Sequence, residues 1–468
     1  MYRFRRIDSL IGQHQELEKQ EIYFATPEEL NDPMEGFKNM FWDGDEIVWT
    51  NFIINYVKSL ERVFSLMVLL NDEKKISEKD IKVSHEIVKL TSFNKTIIDE
   101  VLIKVFQINH IKKLPVNLSK RKTRIRRFEL LAYLMMAHPF ILKAISDVYV
   151  NKGITNKPYI NDNLKGFAGQ INTTEHLPKL ANILSDKRGV KVVDSIFSIL
   201  NQNYQSTLLT NRYKYEEFIV KSNAYFVFSE FPNKFISRLE SEIYPPWFSA
   251  SFLFENKNSV LWGHYGDNHK GVCLKFKTQE KDDRTFLRLD TEYGYSEGPT
   301  RGMRPHFFRK IKYDNKHVEI DFFRSIARMS KPQLNKLWYK DTKGNLSICG
   351  KHLNENEEHW RGNYWNNFYD SLEVKLKEWE YEEEYRLIIH GDFTDYTTKE
   401  SRKLKYDFND LESITFGIKT ENSSKTEIMR IIQKKCKELN ISDFYFYQAY
   451  YSQETGQIES FKLNLLNL

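Results

Sequence analysis

Cysteine is scarce: Cys273, Cys349 and Cys436 are the only three in 468 residues, far apart and with no C-x-x-C pair. That spacing excludes a disulfide framework and gives no signal for a structural zinc site, so a reducing compartment is expected. Long hydrophobic runs are missing too. None approaches the ~18 apolar residues that cross a bilayer, and Met1-Tyr2-Arg3-Phe4-Arg5-Arg6 lacks the apolar segment of a signal peptide. The expectation is a cytoplasmic chain with no membrane partner. Strong charge of one sign is also absent, since 70 basic against 64 acidic residues leave only +6, too little to steer the whole molecule toward nucleic acid. No P-loop, G-x-G-x-x-G, G-x-S-x-G or H-E-x-x-H occurs, which removes the commonest nucleotide, hydrolase and zinc-protease signatures.

What the chain does have is aromatic residues, 33 Phe and 26 Tyr, which favour β-rich cores and binding surfaces. Tyr2 to Arg5 alternates aromatic and basic, so a strand there puts Tyr2 and Phe4 on one face and Arg3 and Arg5 on the other. Asp8 or Ser9 then caps a helix through about Gln20, and Glu21 to Thr26 reads as a second strand that stops at Pro27. From about Ile47 to Val220 apolar residues recur at three- and four-residue spacing, as in Val48 to Leu70 and Thr91 to Phe106, which predicts helices. Strand signals return in Tyr225-Phe226-Val227-Phe228, Phe248 to Phe254, Gly271 to Phe276, Tyr385 to Ile389 and Ile414 to Ile418. A helix around Lys425 to Leu439 and a strand around Phe444 to Tyr450 follow. The expected fold class is α+β, a mixed β-sheet core built from both chain ends with a large helical insertion. Its parts are residues 1–45, the insertion 46–221, and residues 222–468 with a smaller insertion at about 314–367.

Four polar fragments sit inside strand-like aromatic stretches, where unpaired charge is expensive. In Glu382-Glu383-Glu384-Tyr385-Arg386, β alternation puts Glu382, Glu384 and Arg386 on one face. Two carboxylates so spaced can reach one substrate, or they can pair with Arg386 or Arg5 in an ion network. Thr26 closes an aromatic strand, where its hydroxyl can hold a ribose or phosphate, and Asn31-Asp32-Pro33 reads as a capped turn. Arg3 and Arg5 suit bidentate binding of a pyrophosphate or carboxylate. In Trp262 to Gly271, two histidines five apart do not share a helix face, so no metal is expected there. Packing by Trp262 and Tyr265, a tight turn at Gly271, and His264 or His269 at a pocket rim are the roles that fit. Lys120, Arg121, Lys122, Arg124, Arg126 and Arg127 form the densest basic run, either a phosphate contact for nucleic acid or a solvated helix end.

Together the fragments resemble a widespread bacterial family of unknown function. Its members share a Y-x-[FY]-R start, an [IL]-Y-F-[AS]-[ST]-P-x-x-[FL]-N-D-P-x-E segment, a W-x-H-Y-x-x-x-H-x-G segment and a W-x-Y-E-x-E-[YW]-R segment. That resemblance covers roughly residues 1 to 45 and 222 to 450, and it implies a role in anti-phage defence or a toxin system, with a defence-system protein as partner. A remoter similarity is to ADP-ribosyltransferases of the R-S-E type, which implies an ADP-ribosyltransferase-like sheet and NAD as substrate. Arg5 or Arg3 would then hold the pyrophosphate, Thr26 and Tyr23 would support the nicotinamide ribose, and His264 would line the site. Glu384 would stabilise an oxocarbenium-like centre while Glu382 orients or deprotonates a protein or nucleic-acid acceptor. Here Ala-Thr-Pro replaces a full S-T-S. Two other classes stay open. One is a metal-dependent nuclease in which Asp32, Glu35, Glu382 and Glu384 gather a cation. The other is a non-catalytic sensor or binding module held by a buried ion network.

Overall fold

Strands from distant parts of the chain assemble one eight-stranded mixed sheet in the computed structural model, which describes residues 1–83, 91–160, 168–215, 221–295, 298–391 and 394–464, the side chains of 168–175 excepted. Two units result: Met1–Phe37 with Pro245–His317 and Tyr369–Leu468, and Lys38–Tyr244 with Val318–Phe368.

The first unit carries the sheet. Its strands are β1 (Tyr2–Arg5), β2 (Trp247–Leu253), β3 (Val272–Phe276), β4 (Arg309–Lys310), β5 (Glu384–His390), β6 (Leu411–Phe416), β7 (Tyr445–Tyr451) and β8 (Ile458–Lys462). They lie in the order β4-β5-β2-β1-β3-β6-β7-β8. All neighbours are antiparallel except β6 and β7, which are parallel and joined by the helix Asn422–Leu439. Phe252, Leu274, Phe276, Leu387, Ile389, Ile414 and Phe416 form the main core with Ile428, Ile432 and Cys436 of that helix. Phe4, Leu253, Leu261, Trp262 and Cys273 form a smaller core.

One irregularity of this sheet positions everything that follows. β1 pairs with β3 along its whole length, yet it pairs with β2 only at Tyr2 opposite Leu253. Beyond that point Ala25 pairs with Ser249 instead, so β1 and β2 part and leave a gap. Gly271 fixes the other side of β1. A Cβ there would stand 2.4 Å from the Arg5 carbonyl oxygen, so only glycine lets the two backbones approach. Asp267, Asn268 and His269, with φ of 52°, 52° and 67°, turn the chain from the helix Ser259–His264 into that approach.

Several local expectations change. The helix expected through Gln20 divides into Ile7–Ile11 and Glu16–Lys19, because Gln15 adopts φ 54°. The strand expected over Tyr385 to Ile389 runs from Glu384 to His390, but the β alternation read back to Glu382 does not hold, since Lys377–Glu382 forms a 3-10 turn and Glu383 takes φ 46°. The hairpin Arg284–Tyr295 with Pro299–Phe307 was not anticipated; its many charged residues dilute the apolar alternation that marks a half-buried strand.

The second unit is mostly helical, with Glu46–Leu70, Ser92–Gln107, Asn109–Ser119, Arg127–Asn151 and Val190–Lys214 among its helices. A small sheet sets Asn39–Trp42 between Glu319–Asp321 and Ile125–Arg126. The larger stretch expected as an insertion, 46–221, falls within this unit, which runs on to Lys38 and Tyr244, and the smaller does so except for 314–317; residues 84–90, 161–167 and 216–220 of the larger lie outside the described residues. Tyr225-Phe226-Val227-Phe228, expected as a strand, is helical and leads into Phe231–Glu242. Ser222 caps it by accepting from the Tyr225 N–H at 3.0 Å. Burial overrides β propensity there, as the Val227 carbonyl accepts from His138 Nε2 at 2.9 Å. Arg127–Asn151 is long and apolar enough to cross a membrane although charged and polar residues interrupt its apolar run, and 72% of its apolar window is buried inside the protein.

Candidate functional site

A cavity of about 370 Å³ occupies the gap where β1 and β2 part. All of its lining belongs to the first unit: β1 with Arg6 and Ser9, parts of the segment from Tyr23 to Glu35 including Ala25, Glu29 and Asn31, most of β2 including Ser249 and Ser251, His264 and Tyr265, and Lys375, Glu382, Glu384 and Arg386. By register, Tyr2, Leu253 and Glu384 share one face of the sheet, and so do Ser251 and Arg386. Arg3 and Arg5 alternate to the opposite face.

On the first face lies a buried ion cluster. Arg386, 1% exposed, donates from Nε and Nη2 to both oxygens of Glu384 at 2.8 Å each. Its other edge donates to Glu35 at 2.5 and 2.8 Å, and Nη1 also reaches the Leu372 carbonyl at 3.3 Å. Ser251 donates to Glu384 at 2.5 Å, and Lys375 Nζ donates to Glu382 at 2.6 Å and to Glu384 at 3.4 Å. Tyr265 donates to the other Glu382 oxygen at 2.5 Å. Burial alone would raise the Glu384 carboxyl, but Arg386 foremost, then Lys375 and Ser251, hold it at about 2. Burial, and then the Glu382 charge, push the Tyr265 hydroxyl well above the usual tyrosine range. Three carboxylates thus meet two cations.

The opposite wall is different in kind. Arg3, 7% exposed, donates from Nη2 to the Tyr23 carbonyl at 2.9 Å and lies over the Phe252 ring at 5.3 Å. Its Nη1 has no hydrogen-bond partner, and no carboxylate pairs with it among the described residues. Burial, and then the neighbouring Arg5 charge, lower its pKa to about 9. Ser249, 1% exposed, also lines the cavity with an unpartnered hydroxyl. Exposed Arg6 also lines the cavity. Buried donors left unsatisfied are expensive in a folded protein, so this end is suited to an anionic or hydroxyl-bearing ligand.

The expected site residues are distributed unevenly over this geometry. Arg3, Arg5, Tyr23, His264, Glu382 and Glu384 all line the cavity, whereas Thr26 does not. Thr26 instead begins the 3-10 turn Pro27–Glu29, its N–H donating to Glu29 at 3.0 Å. Arg5 is tied to Glu16, through Nε at 2.7 Å and through a second bond from Nη2. The Tyr23 hydroxyl donates to Glu29 at 2.8 Å, and burial followed by that carboxylate raises it to about 12. Exposed His264 is 3.4 Å from the Tyr381 hydroxyl. Glu384 has every lone pair engaged, but Glu382 keeps acceptor capacity and also lines a second cavity of about 520 Å³ beside Phe254, Glu255 and Glu383. Sequence reasoning missed Lys375 and Ser251. No pattern marks them, since Lys375 is placed by a two-residue strand pairing with Lys312–Tyr313.

The basic run in the helical unit is held internally. Arg121, 9% exposed, donates to Glu129 at 2.6 and 3.3 Å, Lys122 pairs with Asp186, and Arg124 and Arg126 both pair with Glu319. Arg127 donates to Glu240 at 3.1 Å, to Asn233 and to Ser237. Only Lys120 of the six has no carboxylate partner among the described residues. The nuclease geometry is not assembled either. Among the described residues no three His, Cys, Asp or Glu side chains group to hold a metal ion. Glu35 and Glu384 face Arg386, and the Asp32 carboxylate accepts from the Met34 N–H at 2.9 Å, which closes the expected turn.

Residues 261–387 match the family model described as "Protein of unknown function (DUF2971)". The match takes in Trp262, His264, Tyr265, Lys375, Glu382, Glu384 and Arg386, but not the fragments at Tyr2–Arg5 and Ile22–Glu35, so it is narrower than the resemblance read along the chain. No curated protein and no solved structure matches.

Proposed function

We propose that the first unit binds a dinucleotide of the NAD class in the 370 Å³ cavity and transfers or hydrolyses its ADP-ribosyl group. The observation that carries this reading is the polarity of the cavity. The buried, under-coordinated Arg3 and the unpartnered Ser249 hydroxyl form one end of a lining that Arg6 also joins, and a cation-bound pair of carboxylates with Ser251 forms the other. One phosphate is matched by the first end, and ribose hydroxyls with a cationic reacting centre by the second. The roles of the two glutamates exchange relative to the sequence expectation. Glu384, saturated by Arg386, Lys375 and Ser251, is a positioning residue, whereas Glu382 has free acceptor capacity to face the oxocarbenium-like carbon as the nicotinamide C–N bond breaks. The same oxygen can take the proton from an attacking hydroxyl or water. The test is nicotinamide release by purified protein, with Glu382→Gln against Glu384→Gln. A role as effector in bacterial defence or toxicity rests on the resemblance alone.

A second reading is favoured by the closure of Glu384. A carboxylate with no free lone pair is also what a purely architectural network produces, in which case the cavity binds its ligand without turnover. Binding without nicotinamide release would select it.

A further inference from the structure

A dinucleotide carries two phosphates, and on the reading above only one is met by Arg3 and Arg6. The cavity's other cations are already engaged: Arg5 by Glu16, Lys375 by Glu382, and Arg386 by Glu384 on one edge and Glu35 on the other. These partners differ in how firmly they are placed. Glu384 belongs to the sheet, whereas Glu35 lies in the loop segment from Pro27 to Phe37, in which Asn31, Pro33 and Phe37 are exposed. The Glu35 side chain is nevertheless only 4% exposed and makes a bidentate pair with the guanidinium. A guanidinium edge reads a carboxylate and a phosphoryl group with the same fork geometry.

We propose that this edge of Arg386 is an anion subsite that Glu35 fills as an internal stand-in, and that a phosphoryl group of the bound dinucleotide displaces it. The wall from Pro27 to Phe37 is then a latch. It closes on the empty cavity and releases when ligand takes the Arg386 fork. Exchange of one anion for another keeps the charge of the cluster unchanged, so Arg386 is never left buried and unpaired along the way. The neutral amide of Glu35→Gln cannot compete for the fork and leaves it open to phosphate.

The inference rests on the NAD-class reading, and its test separates the two. NAD and inorganic pyrophosphate binding would be measured by calorimetry on wild type, Glu35→Gln and Glu35→Asp, with hydrogen exchange of the amides of residues 28–36 followed with and without NAD. The expected result is about tenfold tighter NAD and pyrophosphate binding by Glu35→Gln. NAD should also speed exchange in wild type, and without ligand the 28–36 amides should exchange faster in both variants. If wild type binds NAD but Glu35→Gln binds it equally or more weakly, or if NAD slows loop exchange, the latch is overturned while the binding reading stands. If no variant binds NAD or pyrophosphate, the binding reading falls and the latch with it.

Discussion

Replacing Arg386 by methionine removes a side chain whose five N–H groups all donate, to Glu384, Glu35 and the Leu372 carbonyl. Glu35 and Glu384 would then lie buried, with only Lys375 and Ser251 left to Glu384. Removing one partner of a buried ion pair costs about 3–5 kcal/mol, because the remaining charge is uncompensated. The Glu384 carboxyl gives an independent figure: holding it at about 2 rather than 4.5 corresponds to about 3 kcal/mol. In a unit of this size each kcal/mol moves Tm by about 2–4 °C, so Arg386→Met should lower the melting of the first unit by about 6–20 °C at pH 7. Combining it with Glu35→Gln and Glu384→Gln removes the stranded charges and should recover most of that loss. Thermal unfolding followed by near-UV circular dichroism reads both variants. If Arg386→Met melts within about 2 °C of wild type, the cluster does not hold the unit together and the reasoning fails.

Glu384 has a folded pKa below its unfolded one, so its contribution is present above pH 4.5 and is lost as pH falls toward about 2. Urea titrations between pH 2 and 5 should therefore show a stability slope that Glu384→Gln flattens, and an unchanged slope would place the acid sensitivity elsewhere. Arg3 behaves oppositely, since its guanidinium has no carboxylate partner among the described residues: Arg3→Met should leave Tm within a few degrees of wild type or raise it while cutting NAD affinity about tenfold or more. A drop in Tm like that of Arg386→Met, with binding intact, would make Arg3 structural. For the basic run, Lys122→Ala/Arg124→Ala/Arg126→Ala should lower the stability of the helical unit and leave the salt dependence of any nucleic-acid binding unmoved; a reduced salt slope would restore that run as a phosphate contact.

Strands and helices with clean periodicity were legible in the sequence. β1, β5 and the helix Glu46–Leu70 stand close to where alternation or three- and four-residue spacing put them. The aromatic run at Tyr225–Phe228 was not, because β-prone residues packed around His138 and Tyr56 become helical once buried. For the site, composition located the acidic and basic fragments but not their pairing. Whether Glu384 meets Arg386 or Arg5 depends on which face of the sheet each occupies, and that is set by the Tyr2–Leu253–Glu384 register between strands some 250 and 130 residues apart. Lys375 and Ser251 were invisible for the same reason. An isolated lysine or serine has no period, and its role arises only from what tertiary pairing brings beside it.

The central claim is that Glu382 faces the reacting carbon of a bound NAD. Nicotinamide release and NAD binding should be measured side by side on wild type and Glu382→Gln, with Tm as the control for folding. The account predicts that Glu382→Gln binds NAD within a few-fold of wild type and releases nicotinamide about 100-fold or more slowly. Full turnover by Glu382→Gln, or wild-type protein that neither binds nor cleaves NAD, would contradict it.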